Sequence, residues 1–179
     1  MQEKIIISGM GSISAMGNSA NEVWDNYCSA TTRITSCCFN SCDTAVGKLY
    51  AKEDELVKKL RKENPQYRRL DKTVLFSIIA ARQAAKQANW STEKNISINL
   101  GSSRGATQLF EKFHKNFLEN QNKHLNPVVS PTTTLGNIAS WLAYDLGSKG
   151  ASFSHSITCS TALHSILNAV AWLHAGMAT

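Results

Sequence analysis

Residues 152–176 read SFSHSITCSTALHSILNAVAWLHAG, and their pattern decides the fold. Ala151 to Thr158 is short and uncharged, which predicts a buried strand. Thr161 to His174 follows with helical periodicity, and Leu163, Ile166, Leu167 and Val170 are expected to face inward. Cys159 stands at the junction. The first turn of a helix presents unpaired backbone N–H groups and the positive end of the helix dipole, and both favour an anion. For cysteine that anion is the thiolate, its nucleophilic form. A backbone N–H at the same junction can help hold the oxyanion of an acyl transfer. The plainer reading is a small buried hydrophobe. A nucleophilic cysteine also needs a base or a charge-stabilising partner. His164 lies five residues on, where an ideal helix turns it away from Cys159, so it reads as a structural histidine and not as the base.

Working outward, the rest of the chain alternates strand and helix signals. Lys4 to Ser8 is a short β-branched run closed by Gly9 and predicts a buried strand. Asn18 or Ser19 can cap a helix reaching about Tyr27, with Val23, Trp24 and Tyr27 on one face. Residues 29–47 are rich in Thr, Ser, Cys and Asn and predict loop with a short strand at most. A charged helix is expected over Glu53–Lys62, ended near Asn64-Pro65. Asp71 opens a long helix to about Asn89, with Val74, Leu75, Ile78, Ile79 and Ala85 on its apolar face. Asn95 to Leu100 alternates as a strand closed by Gly101. Gly105 to Asn120 is helical, with Leu109, Phe110, Phe113 and Phe117 read as core. Pro131 to Leu135 reads as polar loop, and Asn137 to Leu146 as a helix stopped by Gly147. This alternation predicts an α/β layered fold with a mostly parallel sheet, and no linker divides the 179 residues.

Composition narrows the function classes. Hydrophobic residues at 42% and charged residues at 18% describe a globular chain. No stretch is long and apolar enough for a signal peptide or a bilayer span, so a cytoplasmic location is expected. Cys28, Cys37, Cys38, Cys42 and Cys159 are an odd set without a secretory signal, which argues against a disulfide framework. Cys37, Cys38 and Cys42 lack a nearby histidine and a paired spacing, so no metal site is assigned. Nine of the nineteen basic residues fall between Lys48 and Lys72, against five acids; this is a solvated surface or a docking face for an acidic partner. No nucleic-acid motif accompanies the charge. The glycines at 9–11 follow a strand signal, but Ser14 stands where a dinucleotide fingerprint needs its third glycine.

Four blocks, in order, resemble the β-ketoacyl-acyl carrier protein synthases. They are KIIISGMGSISAMGNSANEVWDNY (4–27), DKTVLFSIIAARQAAKQANW (71–90), ISINLGSSRGATQLFEKF (96–113) and NIASWLAYDLGSKGASFSHSITCSTALHSILNAVAWLHAG (137–176). The resemblance covers essentially the whole chain. It implies a thiolase-like layered α/β fold, of which residues 1–179 form the N-terminal half, with a mixed, mostly parallel sheet flanked by helices. It also implies a decarboxylative Claisen condensation of an acyl thioester with malonyl-acyl carrier protein, in fatty acid or polyketide/polyene assembly. Cys159 is the implied nucleophile and acyl carrier protein the implied partner, in a homodimer or heterodimer, with no cofactor.

Three departures accompany the resemblance. The family's second half supplies two histidines, a lysine and a gating loop that have no counterpart in residues 1–179. Arg104, in GSSRG (101–105), stands where the family usually has a small or apolar residue near the acyl pocket; it is a candidate substrate-binding residue that shortens the pocket, binds a polar or carboxylated substrate or meets a phosphate of the carrier's pantetheine arm, and the plainer reading is a surface arginine on a shifted loop. SPTTTLGN (130–137) is shorter than the family's usual segment. Two other readings stay open: a non-catalytic chain-length-factor-like subunit, a class that typically lacks the cysteine, and a thiolase-type enzyme acting on coenzyme A esters.

Overall fold

The Ser19 hydroxyl accepts the Glu22 N–H at 3.2 Å and so satisfies one free donor of helix α1 (Ala20–Cys28). The Glu22 carboxylate reaches back to the Asn18 N–H at 2.9 Å, completing a reciprocal cap. The computed structural model that shows this describes residues 4–39, 41–90, 96–120 and 126–178. Contacts gather into two units, one of Ile7–Arg68 and Ile79–Asn89, the other of Met1–Ile6, Arg69–Ile78 and Trp90–Thr179.

In the first unit α1 leads to a hairpin of β1 (Thr35–Phe39) and β2 (Cys42–Val46), paired antiparallel from Thr35↔Val46 to Phe39↔Cys42. Ser41, at φ +65°, supplies the left-handed backbone that a tight hairpin needs. The expectation of loop over 29–47 understated this segment. Both faces of the hairpin stay largely exposed, so no alternation marks it in the sequence. Helix α2 (Ala51–Glu63) buries Val57 and Leu60 and stops at Asn64, before Pro65. Along its outer side Lys58 bridges Asp54 at 3.1 Å and Glu55 at 3.2 Å.

Helix α3 (Lys72–Gln87) gives its second half to this unit. Gly9 and Gly11 lie directly against it. A Cβ on Gly11 would fall 1.9 Å from the Ala80 carbonyl oxygen, and one on Gly9 2.2 Å from that of Ala84. Gln87 and Gln83 accept the Met10 and Ser12 N–H groups at 2.6 and 3.0 Å. The glycine pair is therefore a place where backbone meets helix.

The second unit takes the first half of α3, then β3 (Ile98–Gly101), α4 (Thr107–Glu119), α5 (Val129–Thr133), α6 (Asn137–Leu146), β4 (Ser152–His155) and α7 (Thr161–His174). β3 and β4 pair parallel, Ile98↔Ser152 through Gly101↔His155. Val74, Leu75, Ile78 and Ile138 are fully buried, and Ile98, Ala139 and Leu142 are nearly so. Helix α6 ends on Gly147 at φ +63°, where the sequence places its stop. Asp71 organises the start of this unit. Only 2% exposed, it accepts the Thr73 N–H through Oδ1 and the Leu109 N–H through Oδ2, both at 2.9 Å. Asp71→Ala removes a helix cap and leaves a second N–H unpaired, an expected loss of about 2–4 kcal/mol. A urea melt reads it as a lower midpoint at unchanged slope.

Several expectations are corrected. Lys4–Ser8 pairs with no strand among the described residues, and Ile6 and Ile7 are 78% and 75% exposed. The inward face expected of α7 is open, with Leu163 at 72%, Ile166 at 55% and Leu167 at 61%. Helix α4 buries no residue and exposes Phe110. In each case periodicity identified an apolar stripe correctly, but nothing within the described chain covers it. Pro131 lies inside the short helix α5, a first-turn position that tolerates proline, and not in a loop. Asn95 lies outside the described residues.

Candidate active site

Strand β4 stops at His155, three residues short of the expected end, because the chain there turns back on itself. The Ile157 N–H is taken by Thr161 Oγ1 at 2.8 Å, and the Thr161 hydroxyl donates to the Thr158 carbonyl at 2.6 Å. Thr158 adopts φ +48°, an uncommon left-handed conformation for a β-branched residue. A 3-10 turn over Thr158–Ser160 then carries Cys159 out of the strand and into α7. The Ser160 hydroxyl donates to the Ile157 carbonyl at 3.1 Å, which closes the turn. Cys159 is exposed, and among the described residues no hydrogen bond engages its sulfur.

The turn is held from below and from the side. Thr161 is 4% exposed, and a Cβ on Gly101 would lie 2.5 Å from its Cγ2 and 2.3 Å from Ser165 Oγ. The start of α7 thus rests on bare β3 backbone. The Ser102 N–H donates to the His155 carbonyl at 3.1 Å, and the Ser156 hydroxyl donates to the Ser103 carbonyl at 3.0 Å. These bonds tie the β3–α4 loop, which holds the exposed Arg104, to the segment three residues before Cys159. Gly105, buried at φ +68°, bends that loop, and its N–H donates to Ser102 Oγ at 3.0 Å.

The structure therefore puts Cys159 and Arg104 on adjoining, cross-linked loops. His164 does not join them, because its Nδ1 lies 3.0 Å from the Ser160 carbonyl on the helix itself. The reading of the sequence missed Thr161 and Gly101. A threonine two residues after the cysteine, at the start of a helical pattern, is the signal that could have revealed the first.

Basic residues divide between the units. In the first, Lys48, Lys59, Lys62 and Arg68 are exposed, and no carboxylate pairs with them among the described residues. Arg69 and Lys72, in the second, are exposed too. Among the described residues no helix is long and apolar enough to cross a membrane.

A parallel strand pair, a left-handed threonine and an exposed cysteine at the head of an apolar helix sit together on an α/β frame, and that frame is the thiolase-like layered fold. The chain belongs to the β-ketoacyl synthase family, and residues 2–179 match the family model "Beta-ketoacyl synthase, N-terminal domain". It is 28% identical over 174 residues to 3-oxoacyl-[acyl-carrier-protein] synthase 2 of Staphylococcus aureus (strain COL), covering 92% of this chain and 41% of that protein. Among solved structures it resembles the ishigamide ketosynthase/chain length factor, with a TM-score of 0.76 at 14% identity over 97% of this chain and 44% of the other. It also resembles a type II polyketide ketosynthase solved with its acyl-carrier protein and a hexaketide, with a TM-score of 0.67 at 15% identity over 97% and 47% of the two chains. The chain spans about 41% of the length of its Staphylococcus aureus relative.

Proposed function

We propose that this chain supplies the nucleophile-bearing N-terminal half of a β-ketoacyl-acyl carrier protein synthase. The observation that carries the reading is Cys159, exposed on a turn that a left-handed residue and two threonine hydrogen bonds fix at the head of α7. Its thiolate attacks the carbonyl carbon of an acyl thioester, and collapse of the tetrahedral intermediate expels the carrier's pantetheine thiolate. Malonyl-carrier protein then loses carbon dioxide, and the resulting carbanion attacks the acyl-Cys159 carbonyl. The C–C bond forms, the cysteine thiolate leaves, and the β-ketoacyl group stays on the carrier. Retention of the cysteine favours this reading over a non-catalytic chain-length-factor-like partner. Lys48, Lys59, Lys62 and Arg68 are each exposed and suit contact with an acidic carrier protein, and a cytoplasmic setting is part of the proposal.

The open stripes at Ile6–Ile7, on α4 and along α7 are covered, in this reading, by a second α/β half and a second subunit. Residues 1–179 purified alone are expected to decarboxylate malonyl-carrier protein at the background rate, whereas a version extended by the second half decarboxylates and condenses. Full activity in the short chain would sink the proposal.

Arg104 is assigned to the substrate side of the Cys159 turn. A guanidinium with no ion pair among the described residues suits a polar or carboxylated acyl group, or a phosphate of the pantetheine arm. Arg104→Ile is expected to shift the acyl chain-length profile of the extended enzyme toward longer apolar chains. An identical profile counts against the assignment.

A further inference from the structure

Arg104 lies two residues before Ala106, the N-cap of α4, where the positive end of the helix dipole disfavours a cation. Its side chain is exposed, and among the described residues no ion pair or hydrogen bond engages it. The backbone that carries it is held on both sides. Ser102 Oγ accepts the Gly105 N–H at 3.0 Å and closes a tight turn around Ser103 and Arg104. Gly105 is buried and left-handed at φ +68°, and Ala106 is 1% exposed, so the turn is anchored where it enters α4. On the other side the Ser156 hydroxyl donates to the Ser103 carbonyl at 3.0 Å, and the Ser102 N–H donates to the His155 carbonyl at 3.1 Å. Ser156 stands three residues before Cys159.

The Ser156–Ser103 bond is exposed. Such a bond adds little stability, because water replaces it, yet it still selects one position for the loop. A charge fixed before its ligand arrives loses less freedom on binding, and a guanidinium presents its donors in a planar fork that matches a carboxylate. The pantetheine arm separates its phosphate from the thioester sulfur by a long chain. A cation tied to the segment just before Cys159 therefore faces the acyl side of the thioester and not the phosphate. We propose, resting on the placement of Arg104 on the substrate side of the Cys159 turn, that Ser102 and Ser156 are positioning residues that hold Arg104 as a preset contact for a carboxylate on the acyl group.

The test alkylates Cys159 in the whole chain with iodoacetate, which carries a carboxylate beside the reacting carbon, and with neutral iodoacetamide. In both, the thiolate forms the S–C bond and iodide leaves. Rates are read at low ionic strength from the mass of the Cys159 peptide, and the ratio of the two rate constants reports the local charge while cancelling the intrinsic reactivity of the thiol. Arg104→Met is expected to lower the ratio at least about threefold, and added salt should lower that of the parent in the same direction. Ser156→Ala and Ser102→Ala should each lower it at least about twofold by releasing the arginine. Ser156→Thr, which keeps the hydroxyl, should match the parent. Ser156→Ala added to Arg104→Met should lower the ratio no further, because the serine acts through the arginine. Should Ser102→Ala fail to fold, the two Ser156 variants carry the test. Serine variants that slow both reagents in proportion, or leave the ratio unchanged while Arg104→Met lowers it, overturn the proposal and leave the placement of Arg104 standing. An unchanged ratio in Arg104→Met overturns both. None of these outcomes depends on condensing activity.

Discussion

Replacing Cys159 with alanine will abolish acyl loading. Incubated with an acyl-carrier protein thioester, the parent chain should gain one acyl mass, mapped to the peptide containing Cys159, and the variant none. In the extended enzyme the same change should reduce condensation by at least about 10³-fold, since removal of a covalent nucleophile takes away the step and not merely a contact. Cys28, Cys37, Cys38 and Cys42 are internal controls, because all four are free thiols and three are exposed. If a thiol-directed acyl analogue labels these and leaves Cys159 untouched, the chain is a scaffold and the nucleophile lies elsewhere. Cys159→Ser keeps the shape of the turn but offers a weaker nucleophile, so slow loading is expected from it. That separates loss of chemistry from loss of fold.

Gly101→Ala is expected to have the largest effect on stability near the site. Its new methyl would lie 2.3 Å from Ser165 Oγ, 2.5 Å from Thr161 Cγ2 and 2.8 Å from the Thr161 carbonyl oxygen. The side chains can rotate, but the Thr161 carbonyl belongs to the first turn of α7 and moves only with the helix. Overpacking of this kind costs about 3 kcal/mol. For a chain of this size that is about 6–12 °C in Tm. Because Thr161 also holds the Ile157–Thr158 turn, the displacement passes to Cys159, whose alkylation rate should change by more than about tenfold at temperatures where the variant is folded. Gly136→Ala is the control. Its Cβ meets nothing within 4 Å and its φ of −62° suits any residue, so its melting point should stay within about 2 °C of the parent. Equal effects of the two substitutions would refute the packing account.

How legible each element was depended on what its residues had to satisfy. α6 and α7 were readable to the residue, since an apolar period of 3.6 and, for α6, a following glycine are local properties. The hairpin at 35–46 was not, because its cysteines and threonines are exposed on both faces and leave no alternation to detect. The position of Cys159 was legible from its place between a strand pattern and a helix pattern. The means by which it is held were not, because Thr161, Gly101 and Ser156 act through partners up to 64 residues away in sequence.

The sequence by itself pointed to the family, placed most of the helices, and singled out Cys159 as the candidate nucleophile. Each follows from local periodicity and from motif order along the chain. Only the tertiary structure decided that Gly9 and Gly11 are points of contact with α3, that Ser156 ties the Arg104 loop to the segment before Cys159, and that the apolar faces of α4 and α7 lie open. Periodicity marks a face as apolar, but what covers it is a long-range property of packing, fixed by residues that a helical or strand repeat does not encode.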